Sequence, residues 1–210
     1  MFDTTHLLEK AIVIAVLLLV AFPVHEFAHA WMASRQGDAT ARLFGRMSLN
    51  PVVHFDRMGG LMTVISVLVG GLLIGWAKPT PVNPANLRDR RNGEVFVALA
   101  GPASNLVMAV IGAILFRIVI GLSAGLPEFV YFALYYFVLF NVMLAIFNLL
   151  PLPPLDGSTI LFRFLSPRRA WQIRPIFAQY GLFILLAIVL ILGRPLSLLI
   201  GGIANALVGL

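Results

Sequence analysis

The segment Val24-His25-Glu26-Phe27-Ala28-His29 sets two imidazoles and a carboxylate in the pattern His-Glu-x-x-His. On a helix, residues four apart share a face, so His25 and His29 can hold one metal ion between them. Glu26 is turned from His25 by about 100°. That brings its carboxylate within reach, as a general base, of a water at the metal. Neutral imidazoles and carboxylate oxygens suit zinc, and a catalytic zinc site keeps one position for water. Such a motif also arises by chance, or as histidines hydrogen-bonded within a helix bundle. Here it lies inside an apolar run, residues 11–33, where ionisable groups are costly and default to function.

A third ligand must come from elsewhere. The chain has four histidines and no cysteine, which excludes thiolate ligands and disulfides. His6 is separated from His25 by about 19 residues, nearly 29 Å of helix, and is excluded. His54, within Asn50-Pro-Val-Val-His54-Phe-Asp56, remains open, either as a ligand or as a loop histidine bonded to backbone. The stronger candidate is Asp156, which follows Asn148-Leu-Leu-Pro-Leu-Pro-Pro-Leu. Three prolines stop the preceding helix, and Gly157 permits an unusual backbone conformation at the turn. The competing role for Asp156 is the N-cap of a helix beginning near Ser158.

The elements that position these residues must be membrane-embedded. Of 210 residues, 60% are hydrophobic and 11% charged, with a mean hydropathy of +0.96. Soluble domains carry roughly 25% charged residues. Spans of about 20 residues are needed to cross a hydrocarbon core of about 30 Å, and five stretches qualify: 11–33, 94–120, 129–150, 175–193 and 195–210. The last is short and rich in glycine. No small-x-small cleavage pattern follows residues 11–22, so the first run is retained as a span.

A sixth apolar run, 59–75, lies between two basic segments, one with Arg35, Arg42, Arg46 and Arg57, the other with Lys78, Arg88, Arg90 and Arg91. Basic loops collect on the cytoplasmic side, so the run is expected to dip in and return, with glycines serving non-helical backbone. The same rule puts the N-terminus outside and the basic segment Arg163–Arg174 inside. Arg117 lies near enough to a span end to snorkel, and Arg194 alone is on the wrong side. This topology carries His25, His29 and Asp156 to one face, toward the cytoplasm. The segment Lys78–Arg88 has three prolines and is expected to be extended, then turned. The expected fold is an all-α polytopic membrane protein, a single domain over 1–210. It has five to six transmembrane helices, a re-entrant or short-hairpin element and a small extended segment near the site. The net charge of +6 is accounted for by membrane topology. Basic residues are not interleaved with aromatics, and nucleic-acid binding is not expected.

Together, His25–His29, the Gly101-Pro-Ala-Ser-Asn105 segment and Asn148–Gly157 resemble the site-2 proteases, intramembrane zinc metalloproteases, in the family's order and over the central part of the chain. The chain looks like the compact branch without PDZ or CBS domain. The resemblance implies one zinc ion per chain on His25, His29 and Asp156, with Glu26 activating water. It implies that Asn148 lies near the metal and helps hold an oxyanion, or else satisfies carbonyls at a helix end. It sets Asn105 near the site, either facing substrate or packing with its small neighbours. Residues 59–92 are additional to the smaller family members. Trp76, Lys78 and Pro79, in the extended stretch, could present an edge to an unwound substrate.

The implied function is regulated intramembrane proteolysis of transmembrane substrates in a prokaryotic cell membrane, and the sequence is compatible with a homodimer. Alternatives are a non-catalytic relative that binds membrane segments and a metal-binding or transport protein. A transporter would show polar residues in several spans, whereas here they gather at one depth. Two-metal lipid desaturases need more histidines than four.

Overall fold

The computed structural model describes residues 11–12, 15–69, 77–89, 92–122 and 125–210. Helices dominate the described residues. A π-helical turn, Leu17–Ala21, leads into α1, Phe22–Arg35. Two one-turn helices follow, α2 (Thr40–Leu43) and α3 (Pro51–His54), then α4 (Arg57–Val69). Asn50 caps α3 by accepting from the Val52 amide, with Pro51 at the first helical position, where a missing N–H costs nothing. The long elements are α5 (Gly93–Gly121), α6 (Glu128–Asn148) and α8 (Pro167–Val208), with the short α7 (Asp156–Phe164) between the last two.

Among the described residues three helices, α5, α6 and α8, are long and apolar enough to cross a membrane. The central one is α5, which packs against α1, α6, α7 and α8. Ala109, Ala113 and Phe116 of α5 form a core with Val138 and Val142 of α6 and with Ala204 and Val208 of α8. Small residues at these positions let the backbones approach. The outward faces carry exposed Leu106, Val110, Ile114, Leu182, Leu186 and Leu190. An apolar surface this continuous is stable only against hydrocarbon. The protein is integral to a membrane.

Three features differ from the sequence expectation. Residues 175–193 and 195–210 are not two spans joined at Arg194. They belong to one 42-residue helix, about 63 Å long. Pro175 and Pro195 lie inside it. Each proline removes one amide, and transmembrane helices tolerate that when neighbouring groups reoccupy the carbonyls. Near Pro195 the Ser197 hydroxyl donates to the Arg194 carbonyl at 2.8 Å. Second, the last turn of α8 does not return to the end of the bundle that holds His25, His29 and Asp156. It lies beside Arg117, whose guanidinium donates to the carbonyls of Leu207 (2.8 Å) and Ala206 (3.0 Å). A cation suits the negative end of a helix dipole, so Arg117 has a partner and need not snorkel. Third, the run 59–75 is helical as far as Val69, with Gly59 and Gly60 buried in its first turn. Residues 70–75 of that run lie outside the described residues.

Candidate metal centre

Helices α1 and α5 pack so that a four-residue repeat on one meets a four-residue repeat on the other. His29 Nδ1 lies 2.7 Å from the Val97 carbonyl oxygen. His25 Nδ1 lies 2.7 Å from Asn105 Oδ1. Residues 97 and 105 are two steps of four along one face of α5, and Gly101 stands between them. A Cβ built on Gly101 would lie 2.5 Å from His25 Cε1 and 2.6 Å from His29 Cε1. Only a residue without a side chain allows the two imidazoles to press against α5 there.

Both Nδ1 atoms face oxygen, so both ring protons sit on Nδ1 and both Nε2 atoms carry lone pairs. Those Nε2 atoms are 3.0 Å apart. Asp156 approaches them from α7, Oδ2 at 3.3 Å from His25 Nε2 and Oδ1 at 3.3 Å from His29 Nε2. Both histidines are buried, at 5% and 7% exposure, so water does not relieve the crowding of acceptors. Asp156 Oδ2 is buried without a hydrogen-bond partner. Three acceptors converging with no donor between them require a cation. Two neutral imidazoles and a carboxylate are a zinc donor set that leaves a further position open. Zinc fits the residues present.

The local chain explains how Asp156 arrives. α6 ends at Asn148, and residues 149–155 form an irregular connection with a cis bond between Pro153 and Pro154. Asp156 is the first residue of α7, the N-cap position belongs to Leu155, and the Asp156 carboxylate is not used as a cap. Gly157 is helical and needs no unusual backbone conformation. Its role is clearance: a Cβ there would lie 2.5 Å from the Leu149 carbonyl carbon.

The remaining expected residues fall as follows. Glu26 is half-buried, and its Oε2 accepts from the Thr80 amide at 2.9 Å, while the Thr80 hydroxyl donates to the Glu26 carbonyl at 3.1 Å. Asn105 is fully buried behind His25, with Nδ2 donating to Asn141 Oδ1 at 3.0 Å. Its polar atoms are thereby both engaged. Asn148 Nδ2 donates to the Leu144 carbonyl at 3.0 Å, back along its own helix. His54 is buried away from the cluster, Nε2 donating to the Ser48 carbonyl at 2.7 Å. Lys78 and Pro79 are exposed, on a stretch, 77–83, that forms no helix. Trp76 lies outside the described residues.

That stretch is pinned by its amides. Lys78 N donates to the His54 carbonyl at 2.8 Å, Thr80 N to Glu26, and Asn83 N to Asp38 Oδ2 at 2.7 Å. Asp38 is fully buried and also accepts from Thr40 and Asn86. Desolvation alone would raise its pKa, but the hydrogen bonds from Thr40, Asn86 and Asn83 outweigh burial and hold it below the usual carboxylate value. Thr80 was legible in principle: between Pro79 and Pro81 it has the one amide N–H. Val97 acts through its backbone and leaves no trace in the sequence.

A membrane-embedded bundle whose central helix, α5, braces two histidines of α1 beside a carboxylate of α7 is the scaffold of an intramembrane metalloenzyme. The sequence profile of peptidase family M50 matches residues 12–133 and 122–192. The chain belongs to that family, the site-2 proteases, as its motifs suggest. It is 40% identical to the "Putative zinc metalloprotease YwhC" of Bacillus subtilis, over 73% of this chain and 69% of that protein. It is 30% identical to the "Putative zinc metalloprotease Rip2" of Mycolicibacterium smegmatis, over 82% of this chain and 64% of that protein. The Rip2 of Mycobacterium tuberculosis is 28% identical over 82% and 64%. The chain thus spans about two thirds of the length of these relatives. No solved structure matches it.

Proposed function

We propose that the protein hydrolyses peptide bonds within or near the transmembrane helices of membrane-protein substrates, as a step in regulated intramembrane proteolysis. The carrying observation is the convergence of His25 Nε2, His29 Nε2 and the Asp156 carboxylate, without donors, one residue from Glu26. Zinc held there supplies Lewis acidity toward a carbonyl and toward water. Glu26 takes the proton from the attacking water and gives it to the departing amine. Val97 and Asn105 keep both ring protons on the far side of the imidazoles. The apolar faces of α5 and α8 keep bulk water from the bundle. Asn148 lies one turn-and-loop from Asp156 and would serve an oxyanion after its amide rotates away from Leu144. The centre faces the cytoplasm, on the charge pattern of the loops.

The stretch 76–83 serves as the substrate-facing edge. Its Lys78 and Thr80 amides are taken, and Pro79 and Pro81 have none, so an unwound substrate meets carbonyls there and must supply the N–H groups. Bulky substitutions at Lys78 and Pro79 that leave cleavage of a transmembrane peptide unchanged would refute this edge.

The function itself is tested by metal analysis of the detergent-purified chain and by cleavage with wild type and Glu26→Gln. One zinc per chain in both proteins, with cleavage at least about 100-fold lower in Glu26→Gln, is expected. Equal cleavage by the two, or a wild type that takes up no zinc when zinc is supplied, overturns the proposal.

A further inference from the structure

The two metal-facing histidines are held in different ways. His29 Nδ1 faces a backbone carbonyl, which can only accept, so the ring proton has one place to be. His25 Nδ1 faces a side-chain amide. An amide has two faces of opposite character. With its oxygen toward His25 it leaves Nε2 free for a metal, and with its nitrogen toward His25 it forces the proton onto Nε2 and closes the site. Something must fix which way Asn105 points.

The fixing element lies one helix further away. Asn141, on α6, is fully buried, and nothing about it is required by the metalloprotease chemistry. Its Nδ2 donates to the Phe137 carbonyl at 2.8 Å. A carbonyl cannot donate, so that nitrogen is committed and Asn141 Oδ1 must face the other way, toward Asn105. Asn105 Nδ2 is then the group that meets it, at 3.0 Å. This leaves Asn105 Oδ1 for His25. The polarity of the whole chain, Phe137 to Asn141 to Asn105 to His25, follows from the one end that cannot reverse.

We propose that Asn141 is a positioning residue of the metal centre: through Asn105 it fixes the ring proton of His25 on Nδ1, so that Nε2 faces the metal. Resting on the metalloprotease reading, it assigns a role to a residue that touches neither ligand nor substrate. Three buried side chains on three helices would otherwise be a costly way to fill space in a bilayer. Reversing the chain would leave Asn141 Oδ1 against the Phe137 oxygen, two acceptors without a proton.

The test compares Asn141→Leu with Asn141→Asp in the full chain in detergent. Leucine has about the same volume and removes the orientation. A buried aspartic acid, held neutral, can donate its hydroxyl to Phe137 and accept from Asn105 with its other oxygen, which preserves the polarity. Zinc affinity by chelator competition should fall 10- to 100-fold in Asn141→Leu, as for losses of outer partners of metal ligands, and stay within about threefold of wild type in Asn141→Asp. In the metal-free protein, held at a pH where both imidazoles are neutral, 15N shifts of the His25 ring should report Nδ1–H in wild type and Asn141→Asp, with Nε2–H appearing in Asn141→Leu. Packing alone predicts equal losses in the two variants with the tautomer unmoved, and that result, or unchanged zinc affinity in Asn141→Leu, overturns the proposal. Asn141→Ala serves the same comparison should the leucine variant not fold. A wild type that binds no zinc defeats the metalloprotease reading, while the tautomer measurement, made without metal, still decides this one.

Discussion

Replacing Gly101 with alanine tests the geometry of the centre without touching a ligand. The new Cβ would lie 2.5 Å from His25 Cε1 and 2.6 Å from His29 Cε1. An ordinary contact begins near 3.4 Å, so each ring would have to retreat by about 0.9 Å or α1 would have to move away from α5. The rings are not free to swing, because Asn105 and Val97 hold their Nδ1 atoms from the same helix that carries the intruding methyl. Ligand positions in metal sites tolerate about 0.2 Å. Overpacking of a tight core costs about 1–3 kcal/mol, and relief of that strain comes from displacing the ligands. Zinc affinity should therefore fall about 10- to 100-fold, equal to about 1.4–2.7 kcal/mol, measured by competition with a chelator of known affinity. Gly112→Ala is the control. Its Cβ would lie 2.6 Å from Phe137 Cδ1, an equally close approach to a ring that holds no metal. It should lower thermal stability to a similar degree and leave zinc affinity alone. The reasoning is refuted if Gly101→Ala binds zinc as wild type does, or if both variants lose zinc alike.

The other expectations concern the stretch that lies on Glu26. Thr80→Pro removes the amide that reaches the Glu26 carboxylate, whereas Thr80→Ala keeps it. A hydrogen bond to a charged group contributes about 1.5–3 kcal/mol, so Thr80→Pro should slow peptide cleavage about tenfold or more with zinc retained, and Thr80→Ala should stay within about threefold. Equal rates for the two variants would show that the amide has no part. Asp38 anchors the same stretch at its far end. Its folded pKa is depressed, so its contribution to stability is present above the unfolded value of about 3.9 and is lost as pH falls through the lower folded value. Asp38→Asn should therefore lower thermal stability at neutral pH, and its deficit should shrink below about pH 4. A deficit independent of pH across that range would contradict the assignment.

How far the sequence reaches is clearest from particular residues. His25, Glu26, His29 and Asp156 are legible because ionisable groups in an apolar chain are rare and their spacing is chemical. The loop arginines then give a separate reason to bring Asp156 to the histidines. Asn141 stands in the apolar run 129–150 with no motif around it to single it out. The available signal was its presence at membrane depth, seven residues before Asn148 and so on nearly the same helical face. The two spans expected on either side of Arg194 are one helix, and Pro195 does not break it. In an apolar helix one lost amide does not outweigh the hydrogen bonds on either side, and exposing backbone to hydrocarbon would be worse. The place of the C-terminal turn follows, since a helix without a break ends at the opposite end of the bundle, where Arg117 meets it.

The ligands alone do not make the site; α5 does. His25 and His29 would be just as far apart on any helix, but their protons and ring planes depend on what faces them. Along α5 the sequence supplies an acceptor at Val97, a gap at Gly101 and an oriented acceptor at Asn105, each four residues from the next. The repeat matches the spacing of the histidines because both are one helical turn, and the order is reversed, His29 to Val97 and His25 to Asn105, because the two helices run antiparallel. A shift of α5 along α1 by one residue would leave the gap beside neither ring and a carbonyl beside neither Nδ1. Gly101-Pro-Ala-Ser-Asn105 is therefore better understood as the mould for the histidine pair than as a stripe of small residues for packing. Its glycine and its asparagine are both needed, for opposite reasons, one to give way and the other to hold.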